Sequence, residues 1–263
     1  MDLRKLKNLS VLGEYHIYGP ARTKYLKDLE DYLNSTRFEI TFTQLSILSL
    51  IGKNMNINTP LFWKQLGSLV TENIHRTGDK NTDTLSMIHR NFIVKYPMIG
   101  DQFFKLLESR MFALQDYLSN MSVTNLARGM CLRRVEDEKA LREIEKLCVK
   151  RMKGLSKLDL GNLGSCMSIH NQFATSEEFK VEFGECLGKG IEGISISMLI
   201  NISRGIASRG WYYEKVVKEI VNSVEENVQS LSYIQITQIA WALAEYDKGI
   251  EIPLLEKAMD KRL

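Results

Sequence analysis

The chain has 263 residues, of which 44% are hydrophobic and 25% charged, and its formal net charge is +3. This composition is sufficient for a large core, and the charge is well below that of a strongly basic nucleic-acid module. No run approaches the ~18 to 20 consecutive apolar residues of a membrane helix. The composition therefore predicts a soluble or peripheral protein without a membrane span.

The first 40 residues predict an N-terminal extension followed by a capping helix. Basic residues alternate with leucines between Met1 and Leu12, as in organelle-targeting segments, but Asp2 and the lack of a Ser/Arg-rich continuation favour an ordinary N-terminal helix over a cleaved leader. Residues 21–34 carry leucines at helical spacing. A lone helix there would cover the exposed face of the first repeat of the array described next.

From residue 41 onward, a short pattern returns six times. Its anchor residues are separated by steps of 40, 41, 37, 36 and 40 residues. The anchors are Leu45, Leu85, Leu126, Leu163, Leu199 and Ile239. Regular steps of this size are typical of helical-repeat arrays.

Two positions before each anchor stands a small or polar residue of the kind that caps helix N-termini. These residues are Thr43, Asp83, Thr124, Gly161, Ser197 and Thr237. An apolar residue usually precedes the cap, and an apolar or small residue follows the anchor three positions later. We therefore predict that an amphipathic helix, here called helix A, begins near each of these six residues.

A second amphipathic stretch, here called helix B, follows within each repeat. Its apolar face is clear after Pro60 and Gly100, weaker over the glycine-containing residues 184–193, and the sixth begins near Pro253. Because one hairpin cannot bury its own apolar face, successive hairpins must stack. The predicted fold is all-α, an α-solenoid of about six helix-turn-helix repeats of 36 to 41 residues that forms a single domain over residues 41–263.

Catalytic and metal-binding patterns are weak along the chain. The four cysteines, Cys131, Cys148, Cys166 and Cys186, have no C-x-x-C spacing, and the four histidines are scattered, so core packing in a reducing compartment is the preferred interpretation. The glycine-rich residues 184–190 lack the Gly-Lys-Ser/Thr ending of a phosphate loop. We expect no enzyme activity, no cofactor, no metal and no small-molecule substrate.

The residue immediately before each anchor is an amide in four of six repeats. The amides are Gln44, Asn125, Asn162 and Gln238, with Thr84 and Met198 in the other two repeats. An amide offers a donor and an acceptor together, and reading one base per repeat is how helical-repeat proteins recognise RNA. The alternative is that the first turns of these helices are simply polar and exposed.

The third repeat is the most basic part of the chain. Residues 122–155 contain nine Arg or Lys and five Asp or Glu, and a basic stripe could contact phosphates. The candidate residues are Arg133, Arg134, Lys150 and Arg151, with Arg204 beside the aromatic residues 211–213. The alternatives are that the basic residues of the third repeat form a solvated helix face and that the aromatic residues are buried between repeats.

Residues 237–246, and more loosely residues 197–207, resemble organellar helical-repeat proteins of the octotricopeptide and heptatricopeptide type, including the array that precedes the RAP domain in FAST-kinase-like proteins. The resemblance extends over about residues 41–263 and is closest in the last two repeats. It implies RNA metabolism in mitochondria or plastids, including ribosome assembly. The sequence ends within its sixth repeat, without a RAP-like domain, and its repeats vary too much for a regular base-reading code.

The combined expectation is a non-catalytic RNA-binding or ribonucleoprotein subunit on the matrix side of the mitochondrion, associated with the mitochondrial ribosome. The alternative is a scaffold that binds protein only, as an accessory subunit of a large respiratory or ATP synthase assembly. The expected partners are accordingly RNA, protein subunits of a large assembly, or both.

Overall fold

The structure is a computed structural model that describes residues 20–35, 40–227 and 229–246. Those residues form helices joined by turns and contain no β-strand, which confirms the all-α prediction. Contacts divide the chain into two compact units, Met1–Leu126 and Ala127–Leu263. The expected single repeat domain over residues 41–263 stays a prediction.

Thirteen α-helices follow one another in the described residues. The first seven are α1 (Pro20–Ser35), α2 (Phe42–Asn54), α3 (Pro60–Asn73), α4 (Thr82–Ile93), the single-turn α5 (Tyr96–Ile99), α6 (Asp101–Ala113) and α7 (Asn120–Leu132). The next six are α8 (Glu138–Arg151), α9 (Lys157–Ile169), α10 (Glu177–Gly190), α11 (Ile196–Ala207), α12 (Glu214–Asn227) and α13 (Tyr233–Glu245). Helix α7 runs across the boundary between the two units.

The predicted alternation of A and B helices is confirmed in the described residues. The A helices are α2, α4, α7, α9, α11 and α13, and their first residues follow at steps of 40, 38, 37, 39 and 37 residues, each within four residues of its predicted start. The B helices are α3, α6, α8, α10 and α12. The predicted sixth B helix near Pro253 and the segment from Met1 to Leu12 lie outside the described residues.

The predicted helix caps are wrong. The six residues assigned as caps lie inside their helices, where threonine hydroxyls donate back to the preceding turn, as Thr237 Oγ1 does to the Ile234 carbonyl at 2.9 Å. The true caps of α2, α9 and α13 are Thr41, Ser156 and Ser232, each in a capping box with the residue three positions on. A hydroxyl at an apolar-flanked position therefore does not by itself mark a helix start.

The predicted anchor residues form the core. All six anchors are at most 1% exposed. Within the first unit, A helix α2 packs against α4 and B helix α3 against α6; within the second, α9 packs against α11, α11 against α13, and α8 and α12 against α10. In these A-helix pairs, each apolar face is thus covered by the A helix of an adjacent repeat in the same unit, as stacking of hairpins requires.

Helices α9 and α11 come closest where both carry glycine. A Cβ placed on Gly164 would lie 2.6 Å from the Cα of Ile202 and 2.8 Å from the Asn201 carbonyl oxygen. A Cβ placed on Gly205 would in turn collide with the backbone of Gly164. Two helix backbones can approach this closely only where neither carries a side chain at the crossing. Gly164 and Gly205 therefore set the separation of these two repeats.

A polar side chain just after an A helix repeatedly donates to the A-to-B loop of the preceding repeat. In the first unit, Lys95 Nζ donates to Asn56 Oδ1 at 3.0 Å and to Asn58 Oδ1 at 2.5 Å. In the second, His170 Nε2 lies 2.9 Å from the Val135 carbonyl oxygen, and Arg209 Nη2 donates to the His170 carbonyl at 2.6 Å. These bonds fix the register of adjacent repeats within each unit.

None of the helices in the described ranges is both long enough and apolar enough to cross a membrane. Stacking of successive repeats is seen in each unit separately, and a continuous solenoid through both units stays a prediction.

Replacing Gly164 by alanine should destabilise the protein, because the added methyl group would collide with the backbone of α11. The expected loss in the free energy of unfolding is about 1–3 kcal/mol. The matched control is Gly188→Ala in α10, where a Cβ meets nothing within 4 Å, so helix propensity alone should leave stability unchanged or raise it by up to ~1 kcal/mol. Denaturant unfolding of both variants measures the difference, and equal midpoints for Gly164→Ala and the wild type would contradict the packing described.

Candidate nucleic-acid interface

The observed helix starts place an amide at the same position in each of the last four A helices. Counted from the first residue of the helix, the sixth residue is Ile47 in α2, Met87 in α4, Asn125 in α7, Asn162 in α9, Asn201 in α11 and Gln238 in α13. Three residues later, on the same helical face, stand Leu50, Arg90, Arg128, Ser165, Arg204 and Trp241. Three of the four predicted amides, Asn125, Asn162 and Gln238, hold this position, and Asn201 takes the place of Gln44.

In the second unit, these positions form one partly exposed surface, which we call the A face. It consists of Asn162, Ser165, Asn201, Arg204, Gln238 and Trp241 on helices α9, α11 and α13. Trp241 is 44% exposed, and the other five are half-buried. Because α9 packs against α11 and α11 against α13, the three amides follow one another across adjacent helices.

The polar side chains of the A face differ in whether they bond within the protein. Asn162 Oδ1 accepts a hydrogen bond from Arg128 Nη1 at 3.3 Å. Within the part of the chain that the structure describes, by contrast, the side chains of Asn201, Arg204 and Gln238 have no hydrogen-bond or ion-pair partner. These donors and acceptors are available to a ligand.

Two of the predicted amides are engaged within the protein. Asn125 is 5% exposed and its Nδ2 donates to Ser86 Oγ at 3.4 Å. Gln44 closes the capping box of α2, since its Oε1 accepts from the Thr41 backbone N–H at 2.7 Å, and its Nε2 donates to the Tyr32 hydroxyl at 3.3 Å. The structure therefore does not bring Gln44 and Asn125 into the A face.

Asn201 was missed because the repeats were aligned on the wrong caps, which put Met198 in its place. Counting six residues from the true caps Ser156, Ser195 and Ser232 leads to Asn162, Asn201 and Gln238. The signal that could have found it is the pattern of Ser or Thr followed three residues later by Gln or Asp, present at Ser156 and Ser232.

The predicted basic residues of the third repeat do not form one patch. Arg133 is only 8% exposed and Arg151 is half-buried, whereas Lys150 is exposed on α8. Arg134 is exposed in the loop after α7 with φ of 54°. Arg204 lies in the A face, separate from these four.

Arg134 lines a shallow groove of about 480 Å³ at the A-to-B loops of the second unit. The His170 ring closes one side, and its two nitrogens are both engaged: Nε2 faces the Val135 carbonyl and Nδ1 accepts from the Gln172 backbone N–H at 3.3 Å. In this pairing Nε2 is the donor and Nδ1 the acceptor. The histidine thus serves as a structural bridge between loops.

The buried ionisable groups hold helices together. In the first unit, His89 Nε2 on α4 lies 3.0 Å from Glu108 Oε1 on α6, with side chains 0% and 8% exposed. In the second unit, the buried Glu145 on α8 accepts the backbone N–H groups of Thr175 and Ser176, at 3.2 and 2.9 Å, at the start of α10. Both carboxylates join one helix to the next.

The cysteine thiols are unpaired and mostly buried. Cys131, Cys148 and Cys166 lie in the core of the second unit and Cys186 is half-buried. A hydrogen bond with Cys166, together with burial, raises the pKa of the Cys131 thiol, and burial raises the pKa of Cys148. Such thiols are poor nucleophiles at neutral pH. Within residues 20–35, 40–227 and 229–246, no three His, Cys, Asp or Glu side chains are grouped as metal ligands.

No protein-family model matches this chain, and its sequence has no significant match among curated proteins.

The two asparagines Asn125 and Asn201 should respond differently to alanine. Asn125→Ala removes a buried hydrogen bond and leaves the Ser86 hydroxyl without it, so the free energy of unfolding should fall by about 1–2 kcal/mol. Asn201→Ala removes a side chain that bonds to no described residue, and should change stability by less than about 0.5 kcal/mol. Thermal unfolding of both variants tests the assignment; a destabilised Asn201→Ala would show that this amide supports the fold.

Proposed function

We propose that this protein is a non-catalytic RNA-binding protein that holds single-stranded RNA on its A face. The observation that carries the proposal is the column of three amides on successive packed helices, Asn162, Asn201 and Gln238, of which the last two make no bond to any described residue. All three are half-buried; Asn162 also bonds to Arg128, whereas Asn201 and Gln238 make no such bond that holds the described repeats together.

Amides suit the recognition of unpaired bases. Each offers a carbonyl acceptor and an NH₂ donor, which together match the hydrogen-bonding edge of a base, and helical-repeat proteins read one base per repeat in this way. Successive A helices hold their amides in order, so a single strand could contact them one after another.

The residues that flank the amides add stacking and charge. Arg204 lies one turn after Asn201, and Trp241 lies one turn after Gln238 with 44% of its surface exposed. Base stacking on an aromatic ring contributes about 1–3 kcal/mol per base, and arginine can stack or contact a phosphate. Ser165 at the same position of α9 leaves room beside Asn162.

The proposed setting is a mitochondrial ribonucleoprotein associated with the ribosome, on the matrix side. Its support is the resemblance of residues 197–207 and 237–246 to organellar helical-repeat proteins. These two stretches lie in α11 and α13, which supply four of the six A-face residues.

The alternative, an accessory subunit that binds protein only in a respiratory or ATP synthase assembly, is favoured by the first turn of α13. Ile234 is 66% exposed and Tyr233 is 47% exposed. Adjacent exposed apolar side chains are typical of surfaces that meet another protein.

The purified protein should bind single-stranded RNA of mixed sequence, and Asn201→Ala should weaken binding about tenfold, or about 1.4 kcal/mol, because a base contact is lost. The matched control is Asn222→Ala, an exposed asparagine on B helix α12, which should bind like the wild type. Fluorescence anisotropy with labelled RNA measures both affinities. Failure to bind RNA at low salt, or equal affinities for Asn201→Ala and the wild type, would overturn the proposal.

Native purification with and without nuclease separates the two functions. Loss of all partners after RNA digestion is expected for the RNA-binding protein. Retention of a fixed set of protein partners, with no RNA crosslinks to the chain, would favour the scaffold.

A further inference from the structure

Helix α8 carries a second charged surface that the A face does not use. Four exposed basic residues, Lys139, Arg142, Lys146 and Lys150, follow at spacings of three, four and four residues. At about 100° per residue they fall within a strip about 80° wide, and at about 1.5 Å per residue the strip is about 17 Å long. We call this surface the α8 stripe.

The stripe keeps the charge of at least two of its four basic residues. Arg142 pairs with Glu138 at 3.3 Å, and Glu143 lies half-buried at the edge of the strip. Lys139 and Lys146 form no ion pair with any residue in the described ranges. The remaining acidic side chain of the helix, Glu145, faces inward and binds backbone N–H groups at the start of α10.

The side chains of helix α8 indicate which class of partner the α8 stripe would bind. Its large apolar side chains, Leu141, Ile144 and Leu147, are buried, and the helix contains no aromatic residue. A bilayer surface would be bound through exposed apolar side chains beside the charges, and a protein interface would be depleted in lysine and enriched in aromatic residues. A single strand would need stacking surfaces. A rigid array of phosphates, by contrast, can be bound by positive charges alone.

We propose that the α8 stripe binds the phosphate backbone of double-helical RNA, such as a stem next to the single strand held by the A face. A straight row of charges about 17 Å long matches a duplex, which presents on the order of five phosphates per strand over that length. Double-stranded RNA is recognised through shape and phosphates rather than base edges, in keeping with a surface that has no amide or aromatic side chain. This inference rests on the proposed RNA-binding function.

The test uses the full chain and three RNA probes of mixed sequence: a single strand, a blunt duplex of about 20 base pairs, and the same duplex with a single-stranded tail. The stripe variant is Lys139→Gln with Lys146→Gln, which removes two charges that have no ion pair. The control is Lys189→Gln with Lys218→Gln on α10 and α12, which removes two lysines that are also highly exposed but pair with Glu185 and Glu214. Affinity for each probe is measured across a range of salt concentrations.

The wild type should bind the tailed duplex more tightly than the single strand. The stripe variant should lose on the order of tenfold in duplex affinity, and the slope of log affinity against log salt should fall by about two, because each lost phosphate contact reduces it by about one. Its single-strand binding should be retained, and the control pair should keep the wild-type slope. Asn201→Ala should show the opposite pattern, with weakened single-strand binding and unchanged duplex binding.

Three results would overturn the inference. The first is single-strand binding without duplex binding, which leaves the proposed function standing. The second is an unchanged duplex slope in the stripe variant. The third is stripe-dependent binding to phosphatidylserine vesicles, or to an acidic protein, with none to the duplex. Failure of the wild type to bind any of the three RNAs would overturn the proposed function as well.

Discussion

The hydrogen bonds between one repeat and the loop of the repeat before it are the constraint on which each unit depends. Chain reversal after an A helix uses left-handed backbone at Asn56, Arg134 and Ala174, with φ of 46°, 54° and 58°. Such turns leave polar groups of the loop without helical partners. Lys95 in the first unit and His170 and Arg209 in the second supply the missing donors. The loop is completed only when the next repeat is in place.

This dependence explains why successive A helices keep a common register although their sequences differ. Apolar packing alone tolerates sliding between helices, because it is not directional. A hydrogen-bond donor that must reach a particular oxygen does not tolerate this sliding. Arg209 contacts two loop carbonyls, those of His170 and Phe173, at 2.6 and 2.5 Å, and the bare backbones at Gly164 and Gly205 bring α9 and α11 into direct contact. Together they hold the sixth residue of each A helix in line in the second unit.

The same organisation separates two kinds of surface. A helices bury their anchors against other A helices, and the A face that three of them leave partly exposed carries amides, an arginine, a serine and a tryptophan. B helix α8 exposes a wider face, and its outward residues are mainly charged. Base reading needs fixed donors and acceptors, whereas phosphate binding needs charge. The proposed roles, base contacts for the A face and phosphate contacts for the α8 stripe, follow from the helix faces that the repeats leave exposed.

The sequence by itself determined the all-α class, the alternation of A and B helices, their approximate starts and the buried anchor column, because these follow from apolar periodicity and breaking residues along a local stretch. It misplaced the caps, since Thr124 and Thr237 would carry the same hydroxyl at a helix N-cap as they do inside a helix, where it bonds back to the preceding turn. Only the tertiary structure decided which polar residues are available. Asn125 and Asn201 occupy equivalent positions, yet one is buried against Ser86 and the other is half-buried with no bond to a described residue. Availability depends on the neighbouring repeat, which lies nearly 40 residues away in the chain.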